Sequence, residues 1–243
     1  MQSTVGLQIG MCLMLLWLDA SPALAVAQSS SDLCAERWKN LFQQPLSSTE
    51  MPKIVDNVLK SHQGQGLAAH FTEEKRVTLL KHPLRSTGEL VFLPNTGLYR
   101  QVKTPFEQEI VITPDAIHQR DESGRTETLT LAALPAAQAF VKAFLSVFSG
   151  TLEALHSHFR VYVSAEPQQW QLGFKPKQNS MHHVIACIVL EGSSDHVTAF
   201  WVQETNGDVT SDQLTASRRL APDQWTAYRA YFAWALTTEH SPR

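Results

Sequence analysis

The chain has 243 residues, a formal net charge of −3, 43% hydrophobic residues and 18% charged residues. This composition excludes a disordered chain, and the near balance of charge argues against nucleic-acid binding. Three cysteines are too few for a scaffold that depends on disulfides.

The first 27 residues differ from the rest of the chain. They contain no Lys or Arg, and residues 11–18 are eight consecutive apolar residues. A bilayer-spanning helix needs about 20 apolar residues, so this run is too short. Small residues at alternate positions in 23–27 are typical of a signal cleavage site. We therefore predict a signal peptide over 1–27 that is cleaved after Ala27 or Ala25, and an uncleaved membrane anchor is the alternative.

Two cysteines remain after such a cleavage. Cys34 and Cys187 could form one disulfide in an oxidising compartment. Cys187, however, lies inside the apolar run 184–190, and burial is the usual state of a free cysteine. The favoured interpretation is a buried free thiol, with the disulfide as the alternative.

The next part of the chain changes from helix to strand. A helical extension is predicted over 28–50, with one helix ending near Phe42, and a second helix begins near Pro52. Alternating apolar residues and turn residues then predict six strands, spaced about ten residues apart as in an antiparallel meander. These strands are 67–79, 88–93, 98–103, 109–113, 116–120 and 126–131.

The hydrophobic period then becomes helical and returns to strands. Residues 136–149 present a wide apolar face that is rich in phenylalanine. Five further strands and an aromatic-rich last helix follow, at 159–164, 169–175, 183–191, 196–204, 208–214 and 222–236. A sheet of about ten strands must curl. We therefore predict an α+β fold over 51–243: a curled, half-open antiparallel β-barrel with α-helices covering its concave face.

No motif for a catalytic nucleophile, a phosphate-binding loop or a paired metal site occurs in the sequence. Two histidine pairs are present, His156 with His158 and His182 with His183. A closed zinc site needs three or four ligands, so these pairs are interpreted as solvated loop residues. We predict neither a metal nor a cofactor.

Acidic residues occur in pairs without a recognisable catalytic pattern. Glu73 and Glu74 stand beside Lys75 and Arg76, which favours a solvated strand face. We therefore predict no catalytic residues and a protein that is not an enzyme.

Several segments, taken in order, resemble the LolA-like family of periplasmic lipoprotein carriers, in a divergent form. The similarity covers roughly residues 52–215. The matching segments are Phe71-Thr72-Glu73-Glu74-Lys75, residues 83–92, Gly97-Leu98-Tyr99-Arg100, Thr104-Pro105-Phe106, residues 110–117, Trp170-Gln171-Leu172 with Phe174-Lys175-Pro176, and Gly207-Asp208-Val209-Thr210. The best-known members of this family carry an Arg in the loop between the second and third strands, whereas residues 94–97 here contain none.

The resemblance implies a monomeric periplasmic carrier that binds acyl chains of lipoproteins or other lipids in an apolar cavity. Its partners would be an inner-membrane exporter and an outer-membrane acceptor, with only transient membrane contact and no nucleic acid. One alternative is a module that senses lipid or lipoprotein and acts on a partner protein. A second alternative is an enzyme that uses a polar cluster in the cavity, such as Glu73, Arg100 and His183.

Strand alternation and the helical face predict which side chains line the cavity. The predicted lining residues are Leu90, Phe92, Ile110, Ile112, Phe144, Phe148, Trp170, Leu172 and Trp201.

Overall fold

A computed structural model describes residues 34, 36–43, 45, 57, 60, 63–149, 153–166, 168–177, 183–194 and 196–236. The predicted signal peptide and most of the helix predicted from Pro52 lie outside these residues. We call residues 34 and 36–43 the N-terminal segment and residues 222–236 the C-terminal segment.

Eleven strands form one antiparallel sheet, and each predicted strand is confirmed. Their bounds are β1 Gly66–Arg76, β2 Leu84–Leu93, β3 Gly97–Thr104, β4 Gln108–Ile112, β5 Ala116–Asp121, β6 Thr126–Thr130, β7 Phe159–Ala165, β8 Gln169–Pro176, β9 Ile185–Ser193, β10 His196–Glu204 and β11 Val209–Leu220. The order β6-β5-β4-β3-β2-β1-β11-β10-β9-β8-β7 places β1 and β11 at the centre and leaves β6 and β7 as the edges.

The connection between the two edge strands crosses one face of the sheet. It contains helix α1 (Pro135–Phe148) and the short helix α2 (Glu153–His158). The apolar side of α1 packs on the face that we call the inner face, where Phe140 contacts the core clusters of both halves of the sheet. The predicted α+β half-open barrel with a helix over its inner face is confirmed.

The N-terminal segment covers the opposite, outer face over the second half of the sheet. A disulfide joins Cys34 to Cys187 with a Cα–Cα distance of 6.3 Å, so the favoured interpretation of Cys187 as a free thiol is wrong. Cys187 is buried, as that interpretation required, but it is buried beneath this segment, in a cluster with Val189 and Tyr162. The sequence pattern indicated burial without revealing what lies above the strand.

Aromatic side chains complete this contact. Trp38 packs edge-on against Trp201 at a ring-centroid distance of 5.9 Å, and Phe42 packs against Tyr162 at 5.0 Å. Gly173 makes the second contact possible, because a Cβ atom there would lie 2.6 Å from Cε1 of Phe42.

The C-terminal segment covers the outer face over the first half of the sheet. It is a succession of short helices and not the continuous helix predicted over 222–236: a 3₁₀ turn Pro222–Gln224, α3 Trp225–Arg229, a second 3₁₀ turn Ala230–Phe232, and α4 Ala233–Leu236. Its aromatic residues pack on the strands, with the rings of Tyr231 and Tyr99 stacked at 5.0 Å. Within the described ranges, no helix has the length and apolar character needed to span a bilayer.

Candidate functional site: a cavity beneath helix α1

A cavity of about 110 Å³ lies between α1 and the middle of the sheet, from β5 to β10 in sheet order. Most of its walls are apolar. The apolar lining residues are Leu90, Leu98, Ile112 and Ile117 from β2–β5, Phe140, Val141, Phe144 and Phe148 from α1, and Phe200, Val202 and Leu214 from β10 and β11. The polar lining residues are Glu73, Lys75, Arg100, Thr210 and Asp212.

Four of the nine predicted cavity residues lie on this wall, and the other five lie elsewhere in the protein. Leu90, Ile112, Phe144 and Phe148 line the cavity. The remaining inner-face residues fill the core around it: Phe92 and Ile110 in the cluster of the first half, and Trp170 and Leu172 in that of the second.

Trp201 lies on the outer face and contacts the N-terminal segment. Because side chains alternate along a strand, its neighbours Phe200 and Val202 face the cavity instead. The prediction placed an aromatic residue of β10 in the cavity but selected the wrong one of two adjacent aromatics.

The polar part of the wall is centred on Arg100. Its guanidinium Nη1 donates to both carboxylate oxygens of Asp212 at 3.0 Å, and Nη2 donates to Oε2 of Glu73 at 2.7 Å. Ser86 Oγ donates to the other Glu73 oxygen at 3.2 Å. The guanidinium carbon lies 3.5 Å from the ring centroid of Phe71. We call Glu73, Arg100 and Asp212 the ion cluster.

Strand register brings the ion cluster together from distant parts of the sequence. Glu73 and Asp212 are directly paired on β1 and β11 at the centre of the sheet. Arg100 reaches them from β3 across β2. Gly88 on β2 allows the close approach of β3, because a Cβ atom there would lie 1.8 Å from the backbone oxygen of Gln101.

The interpretation of residues 73–76 as a solvated face is wrong for Glu73, which is 2% exposed. Glu73 and Phe71 are two residues apart on the strand, so both face the inner side of the sheet. Glu74 faces the other side, where it pairs with Arg76 and Arg85. Applied to Phe71 and Glu73, the alternation could have revealed the buried carboxylate. The sequence carries no local signal for its pairing with Asp212.

Burial raises the pKa of Glu73 to about 7. The positive charge of Arg100 opposes this shift, and the negative charge of Asp212 adds to it. Glu73 is therefore a group that can exchange a proton near neutral pH on the polar part of the cavity wall.

A second ion pair borders the cluster. Lys75 Nζ lies 3.4 Å from Glu204 Oε1, and both side chains are largely buried. Burial raises the pKa of the Glu204 carboxyl, and the nearby Lys75 opposes that shift. The cavity wall thus carries two carboxylates, Glu73 and Asp212, and two cations, and Glu204 is paired with one of those cations, Lys75.

The polar cluster suggested for an enzyme is formed only in part. Glu73 and Arg100 meet in the cavity, but His183 is exposed before β9, where its backbone oxygen accepts a hydrogen bond from Thr205 Oγ1 at 2.8 Å. Across the part of the chain that the structure describes, no group of three or more His, Cys, Asp or Glu side chains could hold a metal ion.

The size of the cavity defines what it can take in this conformation. Phe144 and Phe200, both on its wall, make an edge-on contact at 5.0 Å. An apolar cavity of about 150 Å³ is filled by one benzene molecule, so this volume has room for a short part of an alkyl chain. A longer chain would extend beyond this volume.

The family is established by the sequence. The profile described as "Outer membrane lipoprotein carrier protein LolA-like" matches residues 49–230, well over half of the chain. The protein therefore belongs to the LolA-like family, and the resemblance found in the sequence is confirmed. No curated protein matches the sequence significantly.

Several solved structures align with this chain at low identity. A LolA superfamily protein from Nitrosomonas europaea aligns over 70% of this chain and 94% of its own, with 7% identity and a TM-score of 0.36. LprF from Mycobacterium bovis aligns over 67% and 92%, with 8% identity and a TM-score of 0.33. A chain of the Pseudomonas aeruginosa MucA/MucB complex aligns over 69% and 58%, with 14% identity and a TM-score of 0.39. At these scores, the assignment rests on the sequence profile.

Proposed function

We propose that the protein is a periplasmic carrier that binds acyl chains of lipoproteins or other lipids in the cavity beneath α1. In this proposal the carrier moves its cargo from an inner-membrane exporter toward an outer-membrane acceptor. The observation that carries it is a largely apolar cavity between helix α1 and the sheet, in a member of the LolA-like family.

The energetics of acyl binding support this proposal. Each CH₂ group removed from water contributes about 0.8 kcal/mol, so a soluble shuttle needs an apolar interior. Eleven apolar residues line the cavity, and four of them come from α1. The cavity residues predicted from the sequence and placed on its wall, Leu90, Ile112, Phe144 and Phe148, are proposed to contact the chain.

The disulfide supports the proposed location. Disulfides form and persist in oxidising compartments, among them the bacterial periplasm, and are rare in the cytosol. The Cys34–Cys187 bridge is therefore consistent with export directed by the predicted signal peptide.

The proposal is tested by extracting the protein purified from periplasm and identifying bound lipid by mass spectrometry. Saturable uptake of a fluorescent acyl probe is measured in parallel. Ile112→Glu, which places a charge on the cavity wall, is expected to abolish uptake, whereas Leu79→Glu at a 93% exposed loop residue is expected to leave it unchanged. Absence of bound lipid together with no saturable uptake contradicts a carrier function.

A further inference from the structure

The ion cluster and the adjacent Lys75–Glu204 pair together hold one more carboxylate than cation beside an apolar cavity. Glu73 and Asp212 line the cavity with Lys75 and Arg100, and Glu204 pairs with Lys75. A buried charge without a counter-charge is costly, so either a proton or another positive charge must compensate it.

Glu73 is the carboxyl group on which that excess falls. It is the most buried of the three, whereas Asp212 holds Arg100 through both of its oxygens and Glu204 has Lys75 as its partner. The pKa of Glu73, raised by burial to about 7, agrees with this assignment.

Among the described residues, the charged and hydrogen-bonding groups that act on Glu73 come from the sheet. Its own strand contributes Lys75, β2 contributes the Ser86 hydroxyl, β3 contributes Arg100, and β11 contributes Asp212. The residues that α1 contributes to the cavity wall, among those described, are the apolar Phe140, Val141, Phe144 and Phe148.

Filling the cavity removes the remaining water from this carboxyl group. Burial in an apolar environment disfavours the charged form of an acid. An uncharged alkyl chain brings no counter-charge, so the proton must come from solvent. We propose, as a consequence of the carrier function proposed above, that binding of an uncharged acyl chain takes up a proton at Glu73, so that cargo is held more tightly at acidic than at alkaline pH.

The expected change of affinity with pH follows from the thermodynamic linkage between ligand binding and proton binding. If the pKa of Glu73 rises from about 7 in the empty cavity to about 8 in the filled one, the affinity is about five-fold lower at pH 8 than at pH 6. About half a proton is then taken up per ligand at pH 7.5.

The test is titration calorimetry with 1-decanol, which has no ionisable group, at pH 6, 7.5 and 8. Repeating the titration in buffers of different ionisation enthalpy gives the number of protons taken up. Glu73→Gln keeps the shape of the side chain and is expected to bind with the same affinity at pH 6 and pH 8 and without proton uptake. Asp212→Asn removes the negative charge next to Glu73 that helps to raise its pKa, so this variant is expected to take up fewer protons as well.

Glu89→Gln is the matched control, since Glu89 lies on the neighbouring strand β2 and pairs at the surface with Lys103. It is expected to retain the pH dependence of the wild type. Wild-type binding that is independent of pH and without proton uptake overturns the inference while leaving the carrier function in place. Persistence of the pH dependence in Glu73→Gln overturns the assignment to Glu73. Absence of decanol binding at every pH contradicts the carrier function itself.

Discussion

The two faces of the sheet are covered in different ways. On the outer face, the N-terminal segment is attached covalently through Cys34–Cys187 and packs over residues such as Trp201. On the inner face, α1 packs through apolar contacts, and a cavity with a buried ion cluster remains beneath it. The outer cover is thus linked to the sheet by a covalent bond, whereas the inner cover rests on apolar packing above a largely apolar cavity.

Removing the cation of the ion cluster is expected to have the largest effect. Arg100→Met leaves Glu73 and Asp212 buried together, so we expect a loss of about 3–5 kcal/mol in the free energy of unfolding at pH 8. Urea unfolding measures this. Lys103→Met, which breaks a surface pair with Glu89, serves as the control and is expected to change stability by less than about 0.5 kcal/mol.

Opening the disulfide tests the outer face. Cys34→Ser combined with Cys187→Ser is expected to cost about 2–5 kcal/mol in thermal or urea unfolding, because the bridge closes a long loop. Uptake of an acyl probe by the folded fraction is expected to stay unchanged, since the bridge lies on the face opposite the cavity. A loss of uptake in the folded double variant would show that the two faces are not independent.

The pH dependence of stability tests the state of Glu73. Because its pKa in the folded protein, about 7, exceeds the ordinary value of 4.5, its contribution to stability is present below pH 4.5 and is lost as the pH rises to about 7. Relative to Glu73→Gln, the wild type is expected to lose on the order of 2 kcal/mol between pH 5 and pH 7.5. Parallel stability curves for the two proteins would rule out a raised pKa.

Two adjacent aromatic residues of β10 lie on opposite faces of the sheet, so their substitution compares the roles of the two faces in binding and stability. Phe200→Ala removes a cavity wall and is expected to weaken binding of 1-decanol about five-fold, or about 1 kcal/mol. Trp201→Ala is expected to lower stability and leave decanol affinity unchanged, because its ring contacts Trp38. Equal effects of both variants on affinity would contradict the assignment of faces.

The sequence was sufficient for the architecture because the relevant signals are local. Alternation predicted each strand, and the helical spacing of Phe140, Phe144 and Phe148 predicted the helix over the inner face. The last helix was predicted as continuous, since residue spacing does not distinguish an α-helix from a series of short α and 3₁₀ turns.

The site was predicted only in part because it depends on contacts between distant residues. Leu90 and Ile112 were placed correctly by alternation, whereas the choice of Trp201 over Phe200 required the exact register of β10. Glu73 and Asp212 pair across two strands that are distant in sequence, so no local sequence pattern predicts their contact.

The most direct test of the account is to locate a bound acyl chain. The protein is loaded with a fatty-acyl probe that carries a photoreactive diazirine near the end of its chain, irradiated and digested, and the labelled peptides are identified by mass spectrometry. We predict labelling of α1 at Phe140–Phe148 and of the facing residues of β2, β4 and β10, competed by unlabelled lipid. Labelling confined to the outer-face segments, or not competed by unlabelled lipid, would contradict a carrier whose cargo lies beneath α1.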